Sequence, residues 1–293
     1  MPQQQNVIAI VYDYDRTLSP FSMQDDVLFA RLGVARNDFW GKAADMIASK
    51  AYEGELAWMR LLLEIPEFRR MSNKDLSALG KELHFYRGVP EVFRELSLTL
   101  NEERFQQHGI KLEHYVVTSG LQAILDGSGL KRNVDRIFGC ELDEDKDGRV
   151  CWPKRIVSHT SKTQYLFRIN KGVEYMDFHL DVNDHLPEDE KRVPFSNMMY
   201  IGDGPTDVPC FAVVTSLGGK AVAVYDPDSK NAFENCMSLR DAKRVDEIAE
   251  ADYRKNTHLR RVLEYYVKQM ALNIVARMEG EHVSRLIQAP RHY

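Results

Sequence analysis

Three short apolar runs, each ending abruptly in small polar or acidic residues, constrain this chain more than any other feature. The first, Val7-Ile8-Ala9-Ile10-Val11-Tyr12, runs into Asp13-Tyr14-Asp15-Arg16-Thr17. The second, His114-Tyr115-Val116-Val117, runs into Thr118-Ser119-Gly120. The third, Met198-Met199-Tyr200-Ile201, runs into Gly202-Asp203-Gly204-Pro205-Thr206-Asp207. Runs of this length and composition read as strands buried on both faces of a parallel sheet. Ligands of open parallel sheets bind beyond the carboxyl ends of the strands. The polar bursts are therefore expected together, at one edge of an α/β fold. If the chain stays extended after the first run, Asp13 and Asp15 point to one side and Tyr14 to the other. Neighbouring carboxylates repel unless a metal or a shared proton relieves them.

One such pair alone reads equally well as an ordinary acidic turn. Recurrence on three strands weighs for a site. Lys162, in Thr160-Ser161-Lys162-Thr163-Gln164-Tyr165-Leu166, opens a predicted helix and adds a cation. Asp, Asp, Thr, Lys, Asp and Asp at one sheet edge make a metal-plus-phosphate site.

With these motifs in this order the chain resembles the haloacid dehalogenase-like (HAD) hydrolase superfamily. Asp13-Tyr14-Asp15-Arg16-Thr17 matches its DxDx[TV] motif, and Thr118 its strand ending in Thr or Ser. Lys162 matches its helix-heading lysine, and Gly202 to Asp207 its GDGxxD motif. The first and fourth are specific together; the second and third gain weight only from order and spacing. The resemblance covers about residues 7–225. It implies a Rossmann-like, doubly wound parallel sheet core with an inserted helical cap domain. The core is placed at residues 1–20 and 88–293, and the cap at 21–87, as in the branch exemplified by phosphoserine phosphatase.

The resemblance also implies roles. Asp13 would be the nucleophile that forms an aspartyl-phosphate. Asp15 would protonate the leaving group and then activate water. Mg2+ would be held by the Asp13 side chain, the Asp15 backbone carbonyl and the Asp203 side chain, with Asp207 in support. Thr118 and Lys162 would hold the phosphoryl oxygens, with Ser119 and Arg16 beside the substrate. Arg16 departs from the family, which often has Gly or Ser there. Lys154 and Lys171 are rivals for the lysine, and capping of the next helix is the alternative role for Thr118. The expected activity is a magnesium-dependent phosphatase acting on a small phosphorylated metabolite. A phosphotransferase or phosphomutase with the same residues is the alternative, and a non-catalytic binding module a distant third.

Net charge is −5, from 39 basic and 44 acidic residues. That balance argues against a nucleic-acid polymer or an anionic membrane surface as partner. The four cysteines, Cys140, Cys151, Cys210 and Cys236, form no CxxC pair. They read as free thiols of a reducing compartment. No run approaches 18 consecutive apolar residues and no signal-like segment opens the chain, so a cytoplasmic monomer or homodimer is expected.

Between the first and second strands, helical spacing takes over. Val27, Leu28, Ala30 and Leu32 mark one helix; Phe39, Trp40, Ala43, Ala44 and Ile47 a second; Leu56, Met59, Leu61, Leu62 and Leu63 a third. Ser72-Asn73-Lys74-Asp75 caps a fourth, reaching about Leu83. Residues 18–24, Phe39, Trp40, Arg60, Arg69 and Arg70 are candidates for the substrate pocket. Gly88 to Glu91 opens a helix through Leu100. A hairpin is expected over residues 138–153. Its turn, Asp143 to Gly148, mimics a calcium loop, but Lys154 stands where the bidentate Glu belongs. Residues 172–196 read as an irregular excursion and Ala221 to Tyr225 as another buried strand. A final helix over 257–278 carries a stripe of Leu259, Val262, Leu263, Tyr266, Met270 and Ile274, which reads as core packing.

Overall fold

The computed structural model describes residues 4–173 and 181–288. Strand β1 (Val7–Tyr12) is buried at every residue. Its side chains alternate between two faces, so both faces of the sheet are covered. On one side stand β2 (Lys111–Leu121), β3 (Arg136–Glu144) and β4 (Val150–Arg155). On the other stand β5 (Met198–Gly202), β6 (Lys220–Tyr225) and β7 (Glu247–Glu250). The order is β4-β3-β2-β1-β5-β6-β7. Every neighbouring pair is parallel except the β3–β4 hairpin.

Chain order runs outward from β1 to β4 and then returns to β5, beside β1 again. That makes the carboxyl end of β1 the topological switch point, where such sheets bind ligands. Tyr12 pairs with Val116 on one side and Ile201 on the other. The three motif-bearing strand ends are therefore level, and the Asp13 N–H donates to the Ile201 carbonyl at 2.8 Å.

Two strand readings change. β2 does not stop at Thr118; it runs to Leu121, with a register shift between Val117 and Leu121. The three small polar residues are carried inside an irregular stretch of strand. β7 was not expected at all: its four residues, Glu-Ile-Ala-Glu, are too few and too acidic to signal a strand. Pairing with β6 makes it one.

Between β1 and β2 lie a π-helical turn, Gln24–Leu28, and α1 (Phe29–Leu32), α2 (Arg36–Lys50), α3 (Gly54–Leu63), α4 (Pro66–Arg69) and α5 (Asn73–Leu79). In α2 only Phe39 and Ala43 are buried. Trp40, Ala44 and Ile47 of the expected stripe face outward or a cavity, because the helix lies on its neighbours by a narrow face. The expected cap of α5 is present as a reciprocal pair. The Ser72 hydroxyl accepts from the Asp75 N–H at 3.1 Å, and Asp75 accepts from the Ser72 N–H at 2.8 Å.

α6 (Glu91–Ser97) and α7 (Glu103–Gln107) lead into β2, and α8 (Gln122–Asp126) follows it. α5 meets α8 through glycines. A Cβ on Gly127 would lie 1.6 Å from the Ser77 carbonyl oxygen, and one on Gly80 2.1 Å from that of Ile124. Only glycine permits this approach. α9 (Lys162–Lys171), α10 (Val208–Ser216) and α11 (Lys230–Asp241) connect the remaining strands. α12 (His258–Gln288) buries Leu259, Leu263, Met270 and Ile274, with Val262 and Tyr266 half-buried.

The 172–196 excursion is irregular where described; residues 174–180 lie outside the described part. It is anchored by Arg192, paired with Glu113 of β2 at 2.7 Å. All four cysteines are free. Among the described residues, no helix is long and apolar enough to cross a membrane.

Candidate active site

The polar ends of β1, β2 and β5 meet the first turn of α9 at the switch point. Asp13 follows β1 directly and is 4% exposed. Lys162 opens α9 and is 1% exposed. Its ammonium lies 2.9 Å from Asp13 Oδ1 and 2.8 Å from Asp207 Oδ1. The rivals are elsewhere: Lys154 is exposed on β4, and Lys171 donates to the Val182 carbonyl at 2.6 Å.

Asp207 is fully buried and accepts from three directions. Besides Lys162, it takes the Tyr200 hydroxyl at 2.7 Å and the Asp203 N–H at 3.1 Å. A Cβ on Gly202 would stand 2.3 Å from Asp207 Oδ2, so the first glycine of Gly202-Asp203-Gly204 makes room for this carboxylate. Asp13, Asp203 and Asp207 each offer an oxygen within 4.8 Å of the others. The Asp15 carboxylate is outside this group; its Oδ1 accepts the Met23 N–H at 2.8 Å.

Electrostatics reflect the crowding. Burial pushes the Asp13 carboxyl well up; Lys162 opposes this, and Asp207 and Asp203 reinforce it. Burial pushes Asp203 up to about 7, aided by the Asp207 charge. Asp15 is pushed up to about 6 by burial, against the Met23 N–H and Lys162. Burial alone would lower the Lys162 ammonium, but Asp13 and Asp207 outweigh it and hold the lysine charged. Three clustered carboxylates share one ammonium. The donor set is all oxygen and in excess negative charge, which suits a hard divalent cation such as Mg2+.

A cavity of about 470 Å³ opens above this cluster. Asp13, Asp15, Lys162 and Asp203 form its floor, with Arg16 and Ser119 at the side. Arg16 has φ +58°. A left-handed backbone at a non-glycine residue costs roughly 1 kcal/mol, in the tight turn where Thr17, Leu18 and Ser19 N–H groups all meet the Tyr14 carbonyl. Two hydroxyls lining the cavity, Ser22 and Ser119, are buried without a hydrogen-bond partner. Thr118 is fully buried and not among the lining residues; its Oγ1 accepts the Gly120 N–H at 2.9 Å. It does not cap α8, whose N-terminus has no side-chain cap. A second cavity, about 490 Å³, shares Arg16, Asp203 and Thr206 with the first.

The opposite wall comes from the segment between β1 and β2. Trp40 lines the cavity as expected, but Phe39 is core. Arg60, Arg69 and Arg70 are exposed and outside the lining set. The arginine of this wall is Arg36, with Asp25 and Asn37; His159, just before α9, also lines the cavity. Sequence reasoning missed these residues. Spacing alone puts Arg36 and Trp40 one helical turn apart, on one face of α2, without saying what that face meets.

No family model matches the chain. A protein of Borreliella burgdorferi, described as uncharacterized, is 30% identical to it over 288 residues, 88% of this chain and 96% of that one. Among solved structures, a substrate-bound phosphoserine phosphatase superposes with a TM-score of 0.53 at 16% identity, covering 88% of this chain and 97% of its own. A probable phosphoserine phosphatase from Vibrio cholerae reaches 0.55 at 15% identity, covering 93% of this chain and 68% of its own. A HAD family hydrolase from Salmonella enterica serovar Typhi reaches 0.53 at 14% identity, covering 85% and 68%. Likeness at such identity speaks for the fold.

Proposed function

This chain belongs to one family with the Borreliella burgdorferi protein and has the haloacid dehalogenase-like fold, and from that premise we propose that it is a magnesium-dependent phosphatase of a small phosphorylated metabolite. The observation that carries the reading is the cluster itself: Asp13 and Asp207 hold the Lys162 ammonium with the Asp203 carboxylate beside them, and Asp13, Lys162 and Asp203 line a small-molecule cavity.

Phosphate-ester hydrolysis needs a nucleophile, a proton donor for the leaving oxygen and charge neutralisation on the phosphoryl group. Asp13 is the nucleophile. Its carboxylate oxygen bonds to phosphorus as the ester P–O bond breaks, leaving an aspartyl-phosphate. Asp15, whose carboxyl keeps its proton to about pH 6, gives that proton to the departing alkoxide. The same carboxylate then takes a proton from water, whose oxygen displaces Asp13 and releases phosphate. Two carboxylates in unequal surroundings divide the work in this way. Lys162 neutralises phosphoryl charge, and the Ser119 hydroxyl offers a free donor. Thr118 supports the turn that presents Ser119, through its bond to the Gly120 N–H. Asp13, Asp203 and the Asp15 backbone carbonyl would hold Mg2+, with Asp207 in support; the ion supplies positive charge to the phosphoryl oxygens.

The test is phosphate release from an aryl phosphate with magnesium and then with EDTA. Wild type is expected to release phosphate only with magnesium, and Asp13→Asn to lose at least about a thousandfold in kcat. Substantial turnover by folded Asp13→Asn would remove Asp13 as nucleophile.

A further inference from the structure

Asp25 sits in the turn before α1, and both of its carboxylate oxygens are engaged by α2. Oδ2 accepts Arg36 Nε at 2.7 Å, and Oδ1 accepts Trp40 Nε1 at 3.0 Å. One carboxylate thus aims a guanidinium and an indole into the cavity whose floor is Asp13 and Asp15. Phe29 and Phe39 brace Trp40 edge-on, with centroids 5.9 and 5.3 Å away.

The arrangement leaves specific chemistry open. Arg36 uses only Nε on Asp25; its terminal nitrogens have no hydrogen-bond or ion-pair partner among the described residues. That free edge is a two-pronged donor matching a carboxylate or a phosphate. Trp40 has its N–H satisfied, so what remains for a ligand is an apolar ring, suited to another flat ring. A second negative charge on a substrate would be repelled by the acidic floor. The terminal N–H groups of Arg36, whose charge is balanced by Asp25, offer that group charge-assisted hydrogen bonds away from the acidic floor.

We propose that Asp25, Arg36 and Trp40 form a leaving-group subsite, selecting phosphomonoesters whose leaving group is a flat ring bearing a second anionic oxygen group. The proposal rests on the phosphatase reading for its substrate, but the subsite itself is readable by binding. Arg36 and Trp40 touch the ligand; Asp25 is a positioning residue acting through them.

The experiment compares kcat/KM for phenyl phosphate, 3- and 4-carboxyphenyl phosphate, 1,4-phenylene bisphosphate and glycerol phosphate, with magnesium. At least one anionic aryl ester is expected to exceed phenyl phosphate by about tenfold, the worth of one charge-assisted hydrogen bond. The carboxylate and bisphosphate arms tell which anion is preferred. Arg36→Ala should bring that ratio to about one, and Arg36→Lys should keep part of it. Trp40→Leu should erode the preference for phenyl over glycerol phosphate. Asp25→Ala should raise KM for the anionic aryl esters more than it lowers kcat. In parallel, calorimetry compares 3- and 4-hydroxybenzoate with phenol, on wild type and Arg36→Ala. Tighter, Arg36-dependent binding of a hydroxybenzoate supports the subsite without any turnover. Equal kcat/KM across the panel, or an anion preference that survives Arg36→Ala, overturns the subsite. No phosphate release from any ester overturns the phosphatase reading, and the hydroxybenzoate binding then judges the subsite by itself.

Discussion

Asp15 and Asp13 are two residues apart, yet their surroundings differ. Asp13 lies against Lys162; Asp15 has a backbone N–H and a carboxyl raised to about 6. A general acid works only while protonated. Activity should therefore fall as pH rises through about 6, and kcat/KM measured from pH 5 to 8 should show that descending limb. Asp15→Asn should remove the limb and cost about a hundredfold or more. A flat wild-type profile would exclude Asp15 as the proton donor. At the same scale, both Asp residues of the first motif were legible from residue type and order, while Lys162 stood ahead of Lys154 and Lys171 on spacing alone. Asp25 and Arg36 were not legible, because a single acid before a helix and a single arginine within one look like ordinary surface. Their meaning lies in two bonds to one carboxylate.

Among the elements, the contact between α5 and α8 is the most tightly specified. Gly127 stands against the Ser77 carbonyl, leaving no room for a methyl group. Both partners there are backbone, so nothing flexible can yield. Gly127→Ala should destabilise the protein by about 3 kcal/mol, measured by urea unfolding. A change under about 0.5 kcal/mol would mean that the two helices can separate freely. Element existence was readable where the apolar pattern was strong, as an unbroken run in β1 and β5 and as a helical stripe in α12. It failed for β7, where a partner strand rather than composition makes the strand. The extent of β2 was misjudged because small polar residues normally end a strand, whereas here a shift against β3 carries it on to Leu121.

Over the whole molecule, the fold gathers more negative charge at its switch point than one lysine offsets. Asp203 and Asp15 have folded-state pKa values raised to about 7 and about 6, against about 4 in an unfolded chain. The folded state therefore binds protons more tightly. Their contribution to stability is fully present below about pH 4 and is lost as pH rises through 6 to 7. In EDTA, Tm should decline between pH 5 and 8 through these groups. Magnesium, binding only the folded cluster, should raise Tm at pH 8 and flatten the decline. A magnesium-independent Tm at pH 8 would show that the cluster does not hold the ion.

The sequence by itself determined the class of sheet, the level of its chemical edge and most of the charged floor. Buried parallel strands must be apolar throughout, and the residues that stop them must be polar. That pattern is local, so it is written in consecutive residues. Only the tertiary structure decided which lysine meets Asp13, that Asp207 is the buried hub of the cluster, and that the wall facing the acids is built by Asp25, Arg36 and Trp40. These are contacts between segments separated by tens of residues or by a helix turn. Neither composition nor period encodes them, because each depends on how two elements pack against each other rather than on what either is made of.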